Sequence, residues 1–184
     1  MRSMLKNMSL TEIQVPDAQT SLIYELKSQL EKDSFWGSYW KEWNESHSSS
    51  LHLAIFTEPF LGYVLEGRKT IESRFSVNRQ APYQRAAKGD VILLKRSGGP
   101  VIGICQVAQV WFYHLDADSW CTIKQYSQAL CAQDPEFWIQ RENASYATLM
   151  KIRHVRRIEP FIYPKRDRRG WVVLHEGAAQ LFDA

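Results

Sequence analysis

The chain has 184 residues, of which 45% are hydrophobic, and a formal net charge of +3; this is enough apolar material for one folded domain and excludes disorder throughout. Its hydrophobic runs fall short of the ~18 residues that a membrane helix needs, and residues 1–6 lack the apolar stretch of a secretory signal. We therefore expect a cytoplasmic protein that does not enter a membrane.

Residues 1–50 are predicted to form a helical N-terminal extension that ends in a serine-rich linker at 44–50. Pro16 and Asp17 are suited to a helix start, and leucine and isoleucine recur after them at helical spacing. The same spacing continues with five aromatic residues, which are Phe35, Trp36, Tyr39, Trp40 and Trp43. Such a stripe could stack on bases or dock a protein partner, but it more often packs against a neighbouring part of the same protein.

Residues 51–184 are predicted to form a second domain, which opens with a strand at 51–56 and a short helix. Thr57 is suited to cap this helix, and Pro59 is suited to its first turn. Gly67 then marks the end of the helix, where a residue with positive φ is needed.

A strand with charges on one face is predicted directly after Gly67. Because side chains alternate along a strand, Glu72 and Arg74 lie on the same face, together with Thr70. The opposite face is mostly apolar. Lys69 lies at the turn, from where its long side chain could reach a cleft lined by the charged face.

The rest of the chain is predicted to alternate between strands, turns and one helical insertion. The predicted strands are 91–95, 101–113, 146–158 and 170–174. The insertion at 116–143 is expected to hold one or two helices, with Pro135 as a break. The apolar phase of the strand at 146–158 slips between Ile152 and Val155, which predicts a β-bulge there.

Cysteine and histidine give no sign of a metal site or of a disulfide framework. Cys105, Cys121 and Cys131 form no Cys-x-x-Cys pair and are expected to be buried small hydrophobic residues. The five histidines are scattered without metal-ligand spacing. We therefore expect neither a metal nor another cofactor.

Positive charge is concentrated toward the C-terminal end. Residues 151–169 hold eight basic and two acidic residues, a net charge of +6. The basic residues are Lys151, Arg153, Arg156, Arg157, Lys165, Arg166, Arg168 and Arg169. Such a stretch could neutralise several phosphates, and each one would steepen the salt dependence of binding by ~0.9 in a log–log plot. The alternative is a solvated strand and loop without a ligand.

One strand and one turn carry a family signature. It consists of Gly67, Lys69, Glu72 and Arg74 in the spacing Gly-x-Lys-x-x-Glu-x-Arg, followed by the Gly89-Asp90 turn. The pattern resembles that of the ASCH domains of the PUA-like superfamily, and the resemblance extends over roughly residues 51–174. It implies an α+β fold, a small PUA-like mixed β-barrel with flanking helices and a cleft that faces the signature. Members of this superfamily often bind RNA or modified bases, although a fold does not determine an activity.

Several ASCH proteins resemble bacterial amidohydrolases that remove an acyl group from the exocyclic amine of acetylated cytidine with a lysine, a threonine and a glutamate. Lys69 matches the lysine, but Glu72 occupies the position of the threonine, with Thr70 on the same strand face. Glu142, after the helical insertion, is the best local match for the glutamate. The resemblance therefore implies Lys69, Glu72 and Glu142 as catalytic candidates, while the missing threonine weakens the case for that specific reaction.

The chemistry of Lys69 and Glu72 can also be considered without the resemblance. In a water-poor cleft, burial lowers the pKa of a lysine and a neighbouring carboxylate raises it, so the net direction is open. The pair could serve acid–base catalysis or ligand binding. Alternatively, it could form an ion network with Arg74 that only orders the fold.

Binding of RNA, or of a modified nucleotide or nucleoside, is the first functional hypothesis. Its ligand-binding candidates are Lys69, Thr70, Glu72, Arg74, Trp138 and Tyr146, and the basic residues of 151–169 would contact the nucleic-acid backbone. The second hypothesis is a hydrolase of acylated nucleosides or of RNA that uses Lys69 and a carboxylate. The third is a protein-interaction module that docks a partner through the aromatic N-terminal helix.

Overall fold

The computed structural model describes residues 18–43, 48–164 and 168–177. The predicted helix start at Pro16 and Asp17 lies outside these residues, as do residues 44–47 of the predicted linker and Lys165 and Arg166 of the basic stretch. In the described part, no helix is both long enough and apolar enough to cross a membrane.

The described chain contains helices and strands in close agreement with the predicted order. The helices are α1 (Ala18–Leu30), α2 (Trp36–Glu42), α3 (Phe60–Leu65), α4 (Ala117–Lys124), α5 (Ser127–Leu130) and α6 (Pro135–Ile139). The strands are β1 (Leu51–Phe56), β2 (Ile71–Ser76), β3 (Val91–Arg96), β4 (Val101–His114), β5 (Tyr146–Phe161) and β6 (Trp171–His175). Every predicted strand is found, and β5 continues to Phe161 rather than ending at residue 158.

The strands form one mixed sheet in the order β2-β5-β4-β3-β1-β6. β1 and β3 run parallel, and the other neighbours are antiparallel. The sheet curls into a half-barrel, with β2 and β6 as its two edges. The predicted α+β fold with a small mixed β-barrel is thus confirmed, in an open form.

The two longest strands, β4 and β5, contain the predicted bulge. Gln106 lies opposite Arg153 whereas Ile104 lies opposite Arg156, so β5 has one extra residue between these pairs. His154 lies in that interval with a φ of 52°, in the left-handed region that side chains rarely adopt. The bulge expected in this part of β5 is therefore confirmed.

The N-terminal helices pack on the sheet through their aromatic side. Trp36, Trp40 and Trp43 are buried and belong to the same hydrophobic cluster as Leu53 of β1 and Leu93 of β3. Trp36 keeps 0% of its surface exposed and Trp40 keeps 1%. The stripe therefore packs within the protein, and docking of a partner through it would require α1 and α2 to leave the sheet.

The turn between α1 and α2 holds these helices on the bulge of β5. The Asp33 carboxylate accepts from Arg156 at 2.6 Å and from the backbone N–H of Trp36 at 2.8 Å. The Trp36 indole donates to the His154 carbonyl at 2.8 Å, and the ring of Phe35 stacks on that of His154 with 3.6 Å between centroids. The bulge thus gives the N-terminal helices a polar anchor as well as an apolar one.

The helices beside β2 follow the prediction in part. Gly67 ends α3 with a φ of 74°, as expected. The Thr57 side chain does not cap α3; its carbonyl accepts from the Leu61 N–H instead. The insertion forms three short helices rather than one or two, and Pro135 begins α6 instead of breaking a helix. Proline suits that position because the first N–H of a helix has no helical partner.

The three cysteines differ in their surroundings. Cys105 is buried, Cys131 is half-buried and Cys121 is exposed, because α4 buries Ile123 and turns Cys121 to solvent. The expectation that all three are buried is therefore wrong. Within residues 18–43, 48–164 and 168–177, no three His, Cys, Asp or Glu side chains are grouped so that they could hold a metal ion.

The aspartate of the Gly-Asp turn has a structural role that the signature did not reveal. The Asp90 carboxylate is buried and accepts from the backbone N–H of Ser50 at 2.8 Å and of Ala87 at 2.7 Å. The Trp171 indole donates to Nδ1 of His52 at 3.1 Å, so His52 carries its proton on Nε2 and donates it to Asp90 at 2.9 Å. This network ties β1 and β6 to the start of β3.

Candidate functional site

Two clefts open along β2, where the two edges of the half-barrel approach each other. The smaller cleft has a volume of about 340 Å³ and lies between β2, the end of β1, α3 and α6. The larger cleft has a volume of about 880 Å³ and lies between β2, the loop at 79–85 and β6. Arg74 and Phe75 line both of them, so the clefts adjoin at the middle of β2.

Lys69, Glu72 and Arg74 form a continuous ion network in the wall of the smaller cleft. Glu72 lies between the two cations: its Oε2 is 3.4 Å from Lys69 Nζ, and its Oε1 accepts from Arg74 Nε at 2.8 Å. Lys69 is 3% exposed and Glu72 is 4% exposed. Because an unpaired buried charge costs several kcal/mol, the buried lysine and glutamate depend on each other.

The turn before β2 positions Lys69 through α3 and α5. The Lys69 backbone N–H donates to the Tyr63 carbonyl at 2.9 Å, and its ammonium donates to the Leu130 carbonyl at the end of α5 at 3.0 Å. The Thr70 N–H donates to the Ala129 carbonyl at 3.0 Å and so holds α5 beside the strand. An ammonium has three N–H donors, and the contacts with Leu130 and Glu72 use two of them.

The pKa of Lys69 lies below its ordinary value. Burial lowers the pKa, the Glu72 carboxylate opposes the shift, and the neighbouring Arg74 cation adds to it. Desolvation prevails because the ammonium is almost completely removed from water and shares its carboxylate with a second cation. The direction that the sequence left open is therefore downward.

Arg74 bridges the gap in the half-barrel. From β2 it donates through Nη1 to the Gly170 carbonyl at 3.2 Å and through Nη2 to the Ile55 carbonyl at 3.0 Å. Its guanidinium lies over the rings of Phe56 and Trp171, at 4.9 and 5.3 Å from their centroids. Arg74 therefore links the two sides of the gap and forms part of the wall that the clefts share.

Arg141, to which the sequence analysis assigned no role, adds a third cation to the smaller cleft. Its Nη1 donates to the Phe137 carbonyl at 2.6 Å, and its guanidinium lies 3.7 Å from the centroid of the Phe137 ring. Burial lowers the pKa of Arg141, and the Glu72 carboxylate opposes this shift. The spacing of four residues was the available signal, since it places Phe137 and Arg141 on one side of a helical turn.

Glu142 and Thr70 lie outside the wall of the smaller cleft. Glu142 is exposed in the turn after α6, where its backbone N–H donates to the Ile139 carbonyl at 3.2 Å. Thr70 is exposed, and its carbonyl accepts from the Ile152 N–H of β5 at 3.0 Å. Neither is among the described residues that line the cleft, so a catalytic or binding role would require movement of their segments.

The two aromatic candidates lie behind the cleft walls. Trp138 is half-buried and donates from its indole to the Ala132 carbonyl at 3.0 Å, while its neighbour Phe137 lines the smaller cleft. Tyr146 packs against Tyr83, a residue of the larger cleft, with 5.0 Å between ring centroids. Both therefore support residues that face a cleft.

The smaller cleft combines aromatic walls with an excess of positive charge. Its phenyl rings come from Phe56, Phe60, Phe75 and Phe137. Lys69, Arg74 and Arg141 line it, and Glu72 is the one carboxylate among its described lining residues. This pattern suits a flat polar ring or an anionic group, because rings pack on phenyl faces and cations donate to oxygens.

The larger cleft is bordered by arginines from three parts of the chain. They are Arg74 of β2, Arg79 and Arg85 of the loop before β3, and Arg169 of the segment before β6. Glu176 is the one carboxylate among the described lining residues, and it lies 3.4 Å from Arg85. No role was predicted for Arg79 and Arg85, because a polar loop shows no periodicity that would reveal what it faces.

The predicted basic surface is divided between β5 and the larger cleft. Its described residues are all exposed, and they are Lys151, Arg153, Arg156, Arg157, Arg168 and Arg169. Arg153 donates to the Gln106 side chain at 2.9 Å, and Arg156 is held by Asp33. Arg169 lines the larger cleft. The basic stretch thus has a part in internal contacts as well as a solvent-facing side.

The fold matches that of solved ASCH structures, whereas no family model and no curated protein matches the chain. The crystal structure of ASCH from Zymomonas mobilis aligns with a TM-score of 0.55 and 15% identity, over 76% of this chain and 96% of that one. Two mutants of the same protein align with TM-scores of 0.55 and 0.51, at 14% and 13% identity, over 74% and 73% of this chain and 96% of each of theirs. The chain therefore has the ASCH fold that its signature implies.

Proposed function

We propose that the protein binds RNA, or a modified nucleoside, with a base or nucleotide in the smaller cleft. The observation that carries this proposal is the convergence of Lys69, Arg74 and Arg141 on a cleft with phenyl walls and one buried carboxylate, Glu72. The ASCH fold is consistent with it, because the superfamily that the signature resembles often binds RNA or modified bases.

The chemistry of the cleft matches the edges and faces of a nucleotide. Ammonium and guanidinium groups only donate, so Lys69, Arg74 and Arg141 would bind carbonyl or phosphate oxygens. Glu72 only accepts while it is ionised, so it could receive an amino or imino N–H from the edge of a base. The phenyl faces would pack on the flat ring, as aromatic side chains do with unstacked bases of single-stranded RNA.

Exposed cations on β5 would add backbone contacts. Lys151 and Arg157 are both exposed on this strand. Arg156 is a poorer candidate than its sequence position indicates, because Asp33 already occupies its guanidinium. Phosphate contacts of this kind raise affinity without reading sequence. They weaken as the salt concentration rises, because the counterions that binding releases then gain less entropy.

Binding to labelled single-stranded RNA at several salt concentrations tests the proposal. We expect an affinity that falls steeply with salt, and a Lys151→Ala/Arg157→Ala variant whose log–log slope is shallower by about 1.4, or ~0.7 for each lost phosphate contact. Arg141→Ala should weaken binding about tenfold at every salt concentration, since a good polar contact with a base contributes roughly 1–3 kcal/mol.

The matched control removes two exposed cations of the N-terminal region, Lys32 in the turn after α1 and Lys41 on α2, neither of which lines the two clefts. This variant should bind like the unaltered protein. Absence of binding to RNA and to nucleosides, or an affinity that does not change with salt, would count against the proposal.

A hydrolase is the second candidate, and the lowered pKa of Lys69 in a cleft favours it. A lysine that is more readily neutral could take a proton from water that attacks an acyl carbon or a phosphorus atom, a role that contributes roughly 10²–10⁴ in rate. Glu72 would hold the lysine in place. The substrates to test are acylated nucleosides and RNA oligonucleotides.

Turnover by Lys69→Ala and Lys69→Arg variants tests this second candidate. Both should lose about 10² or more of the rate while still binding substrate, because arginine keeps the charge but is not deprotonated in proteins. Circular dichroism would verify the fold of each variant. If neither substrate class is turned over, or if Lys69→Arg is as active as the unaltered protein, the hydrolase candidate fails.

A further inference from the structure

The larger cleft is more spacious than the smaller one, at about 880 against 340 Å³. We propose that it binds the sugar–phosphate backbone of a single-stranded RNA whose nucleotide occupies the smaller cleft. This inference rests on the proposed function and specifies its ligand, which is a strand of several nucleotides rather than a free nucleoside.

The charge of the larger cleft suits phosphates. Arg74, Arg79, Arg85 and Arg169 line it, and Glu176 is the one carboxylate among the described lining residues. Glu176 lies 3.4 Å from Arg85 and offsets one of the four positive charges, so the lining keeps an excess of cations. A guanidinium presents a planar set of donors that matches two oxygens of a phosphate, which distinguishes an arginine-lined cleft from one lined by lysines.

The two clefts adjoin at Arg74 and Phe75. Along β2, Glu72 and Ser73 line the smaller cleft, Ser76 lines the larger one, and Arg74 and Phe75 line both. At ~3.3 Å per residue, the stretch from residue 72 to residue 76 spans about 13 Å. A ligand that fills both clefts must therefore extend along the strand and pass Arg74.

The order of chemical groups along this path favours RNA over an acidic peptide. The smaller cleft presents the phenyl rings of Phe60 and Phe137, which suit a base, whereas the larger cleft presents guanidinium groups, which suit phosphates. The acidic side chains of such a peptide carry carboxylates but offer no flat polar ring for the first cleft. A single strand is favoured over a duplex, because its unstacked bases can enter a cleft without the cost of unpairing and unstacking.

Affinity as a function of ligand length tests the inference. We expect the affinity for single-stranded oligonucleotides of three, six and nine nucleotides to exceed that for a nucleoside monophosphate by tenfold or more at low salt. An Arg79→Ala/Arg169→Ala variant should lose most of this gain while its affinity for the monophosphate stays unchanged. Both arginines are exposed, so the variant is expected to fold, which thermal unfolding verifies.

The control is again the Lys32→Ala/Lys41→Ala variant, which removes the same amount of charge far from the clefts in sequence and outside their lining. The inference is overturned if oligonucleotides bind no more tightly than the monophosphate, or if the arginine variant loses no more affinity than the control. In either case the proposed function survives as binding of a nucleotide or nucleoside. Equal competition by poly-glutamate would also overturn the inference about the larger cleft, since the cleft would then bind any polyanion. If neither the monophosphate nor RNA binds, both the proposed function and this inference fail.

Discussion

Two regions of this molecule bury aromatic rings for different reasons. Below α1 and α2, Trp36 and Trp40 pack with leucines of the sheet into a hydrophobic cluster. Beside β2, Phe137 and other phenyl rings surround a cleft in which Lys69 and Glu72 are buried as well. The two regions have similar aromatic content, and the buried charges are what separates them.

This difference separates buried residues whose burial stabilises the fold from buried residues whose burial does not. Burial of hydrocarbon is favourable by itself, at about 25 cal/mol per Å² of apolar surface. Burial of an ion pair removes two charges from water and is often no more stabilising than apolar residues of the same size. The tryptophans are therefore accounted for by the core, while Lys69 and Glu72 call for a functional explanation.

The largest effect on stability is expected for a residue that is buried in the hydrophobic core. Trp40→Ala should lower the free energy of unfolding by about 3–5 kcal/mol, because it removes a large side chain that is 1% exposed. Tyr24→Ala on α1 is the control: this aromatic residue is 67% exposed, so its loss should change stability by less than about 0.5 kcal/mol. Urea unfolding measures both. A loss below about 1 kcal/mol for Trp40→Ala would contradict the assignment of this region to the core.

In the ion network, a set of substitutions can restore stability and still abolish ligand binding. Glu72→Gln leaves Lys69 and Arg74 without their shared carboxylate and should cost about 3 kcal/mol of unfolding free energy. The triple variant Lys69→Met/Glu72→Leu/Arg74→Met should recover most of that loss yet no longer bind RNA or nucleoside. Retention of binding by a stable triple variant would show that the network only orders the fold.

The lowered pKa of Lys69 predicts how stability depends on pH. Between this lowered pKa and the ordinary value of ~10.4, the unfolded chain holds the proton that the folded chain has lost, so the free energy of unfolding rises with pH. Relative to Lys69→Met, the unaltered protein should therefore gain stability as the pH increases across this window. Parallel urea titrations between pH 7 and 10 measure the difference, and a constant difference would argue against a lowered pKa.

The smallest effect on the free energy of unfolding is expected for substitutions on β5. Arg156→Ala removes an ion pair with Asp33 whose arginine is 54% exposed, so it should cost only about 0.5 kcal/mol. Arg157→Ala, at an exposed neighbouring position, should leave stability unchanged but reduce the salt dependence of RNA binding. If Arg156→Ala instead reduced the salt dependence more than Arg157→Ala, the placement of Arg156 as an anchor for the helices would need revision.

Much of the fold could be predicted from local patterns. The strand after Gly67, the glycine that ends α3 and the phase slip of β5 are signals carried by a few consecutive residues, and each is found where it was expected. Pro135 was misinterpreted, because a proline is compatible with both the end and the beginning of a helix. The surroundings of Cys121 were also missed, since α4 is short and its periodicity is weak.

The candidate site could be predicted only where its residues are close in sequence. The spacing of Lys69, Glu72 and Arg74 within one strand was enough to expect their network. Arg141 reaches the same cleft from the turn after α6, about seventy positions later in the chain. A lone charged residue in a helical insertion carries no sign of the strand that it will face, and the matched family pattern directed attention to its neighbour Glu142 instead.

The sequence by itself determined the order of the strands, the charged strand after Gly67 and the family that its pattern resembles, because these depend on short-range periodicity and backbone preference. Only the tertiary structure decided that Arg74 divides two clefts, that Arg79 and Arg85 border the larger one, and that burial outweighs Glu72 in setting the pKa of Lys69. Each of these depends on distances between segments far apart in the chain and on how completely water is excluded between them, and the packing of the whole domain sets both.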